Sequence, residues 1–78
     1  MFRFSCTDKN GNTYYIEEDY YHREDGPAVV YSNGKSMWYK YGKLDRNDGP
    51  AIIDPGITNE WYKNGKRHRE DGPAIEYI

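Results

Sequence analysis

Apolar and aromatic residues occur along this chain in short runs, each cut off within about six residues by Gly, Asn, Asp or Pro. The runs are Phe2–Thr7, Thr13–Glu18, Pro27–Ser32, Ser36–Tyr41, Pro50–Asp54, Thr58–Lys63 and Pro73–Ile78. β-Branched and aromatic residues dominate them, which is the composition of a pleated, half-buried surface. No segment keeps a helical period. The pattern predicts an all-β fold: a single-layer, twisted antiparallel meander of about seven short strands. Side chains alternate along a strand, so Trp38 and Trp61 face one way and Tyr39 and Tyr62 the other. Val29, Ile52 and Ile75 fall on one stripe, extended by Tyr31 and Tyr77. Alternation does not say which stripe is buried.

The runs are also copies of one another. Asp25-Gly26-Pro27-Ala28 returns at Asp48-Gly49-Pro50-Ala51 and Asp71-Gly72-Pro73-Ala74, each copy 23 residues after the last. Arg23, Arg46 and Arg69 precede each Asp by two residues. Tyr15-Ile16 matches Trp38-Tyr39 and Trp61-Tyr62. His22, Asp45 and His68 are equivalent, as are Val29, Ile52 and Ile75. A fixed period of this size marks stacked supersecondary units. The chain divides into one domain, 1–78, with a half unit 1–14 and units 15–37, 38–60 and 61–78.

The turns follow from the same copies. Asn10-Gly11 and Asn33-Gly34 favour tight hairpins, since both residue types tolerate positive φ. The third glycine of that series, Gly56, comes one residue early after Pro55, which predicts a different turn. Asn64-Gly65 could close a hairpin of its own. The preferred reading makes 64–72 a longer connection, because Gly72-Pro73 must break pairing. Within each Asp-Gly-Pro, Asp is expected to accept from nearby amides, Gly to take positive φ and Pro to set the strand entry. An Arg of one unit is expected to pair with the Asp of its neighbour.

Composition narrows the function. Seventy-eight residues make one small domain with a limited core. Aromatics at 17%, including nine Tyr and two Trp, argue against disorder despite a hydrophobic fraction of 36%. The net charge of −2 gives no footprint for nucleic acid. Cys6 is the only cysteine, so no intrachain disulfide forms, and it is expected to pack. No run approaches a membrane span or a signal peptide. The expectation is a soluble, cytoplasmic protein with no membrane contact.

The stretch Trp61-Tyr62-Lys63-Asn64-Gly65-Lys66-Arg67-His68-Arg69-Glu70-Asp71-Gly72-Pro73-Ala74-Ile75 resembles the MORN-type repeat. Arg-x-Asp-Gly-Pro-Ala stands where standard units carry Gly-x-Gly after the His. The chain is therefore similar to the variant MORN-like repeats of bacteria, phages and large DNA viruses. The resemblance covers residues 10–78. It implies stacked hairpins in an elongated twisted sheet and a scaffold or binding role without enzyme activity. It does not extend the lipid binding proposed for some standard members.

Tyrosine-rich surfaces favour recognition, because Tyr offers a large contact at low entropic cost. The candidate partner-binding residues are Tyr15, Tyr20, Tyr21, Trp38, Tyr39, Tyr41, Trp61 and Tyr62. A mixed-charge ridge adds Arg23, Arg46, Arg69, Glu24, Asp48 and Glu70. Glu17-Glu18-Asp19 reads as a solvated turn. His22 and His68 lie too many strand spacings apart to share a metal or form a dyad with Asp45, so no metal, cofactor or catalytic residue is expected. The leading expectation is a non-enzymatic protein-binding module. The resemblance suggests a small phage or mobile-element inhibitor that occludes a host defence protein, in the manner of an anti-CRISPR. The alternatives are a self-assembling homodimeric scaffold and, behind it, a small His/carboxylate hydrolase.

Overall fold

The structure, a computed structural model, describes residues 3–78. Phe2, placed in the first strand by its sequence, lies outside them. The described chain is all β. Its twelve short strands are β1 (Arg3–Thr7), β2 (Thr13–Glu17), β3 (Tyr20–Tyr21), β4 (Val29–Val30), β5 (Ser36–Met37), β6 (Tyr39–Lys40), β7 (Lys43–Leu44), β8 (Ile52–Asp54), β9 (Thr58–Glu60), β10 (Tyr62–Lys63), β11 (Lys66–Arg67) and β12 (Ile75–Tyr77). Seven of them form one open antiparallel sheet in the order β1-β2-β4-β5-β8-β9-β12. The body is thin, 36 × 26 × 16 Å.

The first expected aromatic strand is continuous as β2, while the other two are interrupted at the tryptophan. Strand Ser36–Tyr41 becomes β5 and β6, and Thr58–Lys63 becomes β9 and β10, with Trp38 and Trp61 at the joints. In each unit the chain then closes a second, tighter hairpin: β2 with β3 at the margin of the main sheet, and, beyond the joints, β6 with β7 and β10 with β11 as separate two-stranded sheets. Asn64-Gly65 therefore closes a hairpin, and the longer connection over 64–72 is not what forms. Glu18-Asp19 and Tyr41-Gly42 do the same in the earlier units. All six residues have positive φ, the signature of a two-residue type I′ turn, whose twist matches the flanking strands. The Pro-containing segment then begins only after this hairpin. Pairing resumes at Val29, Ile52 and Ile75, two residues later than the prolines suggest.

The sheet turns are of another kind. At Asn10-Gly11 and Asn33-Gly34 only the glycine has positive φ. Gly11 N–H donates to Asp8 O, and Gly34 N–H to Tyr31 O, so each loop spans three residues and not two. In the third turn Ile57 N–H donates to Asp54 O and the positive φ moves to Gly56. Pro followed by a positive-φ Gly is the sequence of a type II turn. The early glycine thus changes the turn type and leaves the loop length intact.

Register explains the core. Tyr14, Val29, Met37, Ile52, Glu60 and Ile75 pair in succession across the sheet, so they share one face. One step along the same register, the opposite face carries Tyr15, Ala28, Trp38, Ala51, Trp61 and Ala74. Tyr15, Trp38 and Trp61 each donate their N–H to the alanine beyond, at 2.7 Å. Large rings and methyl groups alternate along this rung. Ala28 and Ala51 are completely buried between their rings, and with Val29 and Ile52 they make up the buried apolar core.

Candidate functional site

Each unit builds the same clamp around its aromatic ring. The Arg23 guanidinium carbon lies 3.9 Å from the centre of the Tyr15 ring, that of Arg46 3.9 Å from Trp38, and that of Arg69 3.7 Å from Trp61. Arg46 Nε donates to Asp48 Oδ1 at 3.1 Å and Nη1 to Pro50 O at 3.0 Å. Arg23 and Arg69 repeat both bonds with Asp25, Pro27, Asp71 and Pro73. Arg and Asp therefore pair inside one unit, two residues apart, and not across units as the sequence suggested. Gly26, Gly49 and Gly72 do not have positive φ either. A Cβ on Gly49 would stand 2.9 Å from the Arg46 guanidinium carbon, so a larger residue there must displace the arginine from its clamp. The guanidinium is held between the ring and a backbone carbonyl, a placement that favours Arg over Lys.

A second set of bonds stitches one unit to the next. His22 Nδ1 accepts the Tyr41 N–H at 3.0 Å, and Asp45 Oδ2 accepts the Asn64 N–H at 2.9 Å. The equivalence of His and Asp in the repeat is thus one acceptor role filled by two chemistries. His22 is buried, its Nε2 beside Glu24 Oε1 at 3.0 Å and Glu17 Oε2 at 3.3 Å. With Nδ1 accepting, Nε2 must be the protonated nitrogen, and both ring nitrogens are committed. Glu17 is buried in this cluster, and only Glu18 and Asp19 form the solvated tip. Replacing Asp45 by Ala leaves the Asn64 amide without its acceptor and is expected to cost about 1–3 kcal/mol. Asn at the same place retains an oxygen and should cost less than about 1 kcal/mol; chemical denaturation of the two variants checks the difference.

The predicted partner-binding aromatics separate into two groups. Tyr15, Trp38 and Trp61 carry an arginine on one ring face, so they are not free surfaces. On the other side of the sheet, Tyr21 lies 5.8 Å from Tyr14, stacked, and 5.5 Å from Tyr39, tilted. Burial holds the Tyr39 phenol above the ordinary tyrosine range, and the phenols of Tyr31 and Tyr21 add to the effect. Partial burial, and the hydrogen bond from its hydroxyl to Asp8, raise Tyr14 as well. Tyr14 and Tyr31 were missing from the sequence-based candidates. Both lie in register with the Val29 stripe, and that register was the available signal.

Tyr20 and Tyr41 are exposed at the hairpin tips, Tyr20 against Gly42 and Tyr41 over the His22 ring at 4.3 Å. Tyr62 donates to Glu60 Oε1 at 3.2 Å, away from the tyrosine group. Of the charged candidates, Arg23, Arg46 and Arg69 are taken into the clamps, while Glu24, Asp48 and Glu70 project into solvent. Cys6, expected to pack, is exposed on β1. Between the second and third clamps runs an open groove of about 700 Å³, lined by Arg46, Asp48, Trp61, Lys63, His68 and Arg69. Among the described residues no group of three or more His, Cys, Asp or Glu could hold a metal ion. Among the described residues no helix is long and apolar enough to cross a membrane.

No protein-family model, curated protein or solved structure matches this chain.

Proposed function

We propose that the chain is a non-enzymatic protein-binding module whose docking surface is the face formed by Tyr14, Tyr21, Tyr31 and Tyr39. One observation carries the reading: Tyr14 and Tyr31 on the main sheet and Tyr21 and Tyr39 on the adjoining hairpins gather on one side of the molecule, with two pairs in ring contact and Tyr21 exposed. Such rings supply contact area and hydroxyls at low entropic cost, which suits a protein surface. The MORN-like resemblance supports a binding role. It also supports a bacterial defence protein as the first target to try, with the chain acting as a phage or mobile-element inhibitor that occludes it. The hydrolase alternative is disfavoured by His22, whose two ring nitrogens are both occupied.

The test is a tagged pull-down from bacterial lysate with wild type, a Tyr21→Ala/Tyr39→Ala double variant and a Lys66→Ala control. The reading expects a stoichiometric protein that the control keeps and the tyrosine variant loses by at least about tenfold, the scale of a hot-spot truncation. No stoichiometric partner, or one indifferent to the tyrosines, would sink it. The homodimer alternative draws on the open edge of β1, whose residues are all exposed. Sedimentation at micromolar concentration separates it, since a strict monomer removes it.

A further inference from the structure

Each unit offers the next one three backbone-level docking points. Tyr21 O accepts the Gly42 N–H at 3.0 Å, His22 Nδ1 accepts the Tyr41 N–H, and the Arg23 N–H donates to Tyr39 O at 3.3 Å. The second unit repeats the set with Leu44 O on Gly65 at 2.8 Å, Asp45 Oδ2 on Asn64, and Arg46 N–H on Tyr62 O at 3.2 Å. The third set consists of Arg67 O, His68 Nδ1 and Arg69 N–H. Among the described residues nothing docks on it, and the His68 side chain is 54% exposed. The neighbouring alanine slot is open as well. Ala28 and Ala51 are sealed by Trp38 and Trp61 of the following unit, whereas Ala74 is only half-buried.

We propose that this end of the sheet is a socket for a β-hairpin of a partner protein. The hairpin it fits has an aromatic residue for the Ala74 slot and, three residues later, a type I′ turn with glycine second. Trp38 with Tyr41-Gly42 and Trp61 with Asn64-Gly65 show that spacing inside the molecule. The socket continues the established stacking interface, and its two acceptors and one donor require two donors and one acceptor in return. Another copy docked end to end in the same sense does not satisfy it. The outer edge of β2 is already covered by β1, from Arg3 opposite Glu17 to Thr7 opposite Thr13. Two sockets facing each other present acceptors to acceptors. The added hairpin is a case of recognition by strand addition, where backbone bonds supply affinity and side-chain slots supply specificity.

This inference extends the protein-binding reading and uses a different surface, so the two can fail separately. The probe is a backbone-cyclised peptide reproducing residues 61–68, because a lone two-stranded hairpin is only marginally ordered. It is titrated into the isotope-labelled full chain. The Arg69 amide and the His68 ring signals are expected to move and saturate. His68→Leu removes one acceptor and should weaken binding about tenfold. His68→Asp, which copies the second unit, should stay within about threefold of wild type. Methylating the peptide nitrogen that corresponds to Asn64 should weaken binding at least about tenfold. The Tyr21→Ala/Tyr39→Ala variant should bind the peptide unchanged. The proposal is overturned by no saturation up to millimolar peptide, by shifts confined to β1 or the tyrosine face, or by His68→Leu binding like wild type. Concentration-dependent movement of the Arg69 amide without peptide would overturn it too, since the occupant would then be a second copy.

Discussion

Replacing Ala51 by Leu is expected to destabilise the chain by about 3 kcal/mol or more and to lower its melting temperature by roughly 15 °C. Ala51 has no exposed surface and sits between Trp38 and Trp61, with its N–H on Glu60 O and its carbonyl on Trp38. Both rings are pinned by arginines on their outer faces, so neither can swing aside to admit three more carbons. A domain of this size has about 5 kcal/mol in reserve. The same change at Ala74, which no ring of a following unit covers among the described residues, should shift the melting temperature by only a few degrees. Thermal unfolding followed by circular dichroism compares the two. Equal effects at Ala51 and Ala74 would mean that the alternation of ring and methyl group does not hold the units together.

Removing the clamp of the middle unit should be nearly as damaging. Arg46→Ala loses the stack on Trp38 and the bond to Pro50 O, and it uncovers one face of the indole; the expected loss is about 2–3 kcal/mol. Arg46→Lys keeps the charge and forfeits the flat fit over Gly49, with an expected loss of about 1–2 kcal/mol. Asp48→Ala should change stability by less than about 0.5 kcal/mol, because that carboxylate is 88% exposed and its ion pair is screened. Denaturant unfolding gives the order, and a red shift of tryptophan emission in Arg46→Ala reports the uncovered ring. If Asp48→Ala were the costlier change, the ion pair and not the stacked guanidinium would be the source of stability.

The fold class was legible because it depends on features the chain repeats three times. Runs of aromatic and β-branched residues gave the strands, and the common stripe of Val29, Ile52 and Ile75 followed from alternation. The second row of hairpins was less legible. Asn64-Gly65 announces a type I′ turn, but its equivalents are Tyr41-Gly42 and Glu18-Asp19. Tyr41 and Glu18 hold positive φ that their own types do not favour. Stacking holds the Tyr41-Gly42 turn: the Tyr41 amide reaches His22, and Tyr20 packs on Gly42. The clamp escaped for a related reason. Arg, Asp and Gly at fixed spacing look like turn residues, and only in the folded chain does the guanidinium come to lie between glycine and indole. Tyr21 and Tyr39 were among the candidates, while Tyr14 and Tyr31 join them through cross-strand register.

Amide hydrogen exchange, resolved residue by residue, tests the two-row stacking most directly. Tyr41, Gly42, Asn64 and Gly65 sit at exposed turn tips, yet their amides should exchange slowly, because each is bonded to the preceding unit. The Arg69 amide, with the open socket before it, should exchange at the rate of an unprotected chain. Tip amides that exchange as fast as Arg69 would show that the hairpins do not dock on one another, and the stacked unit described above would be wrong.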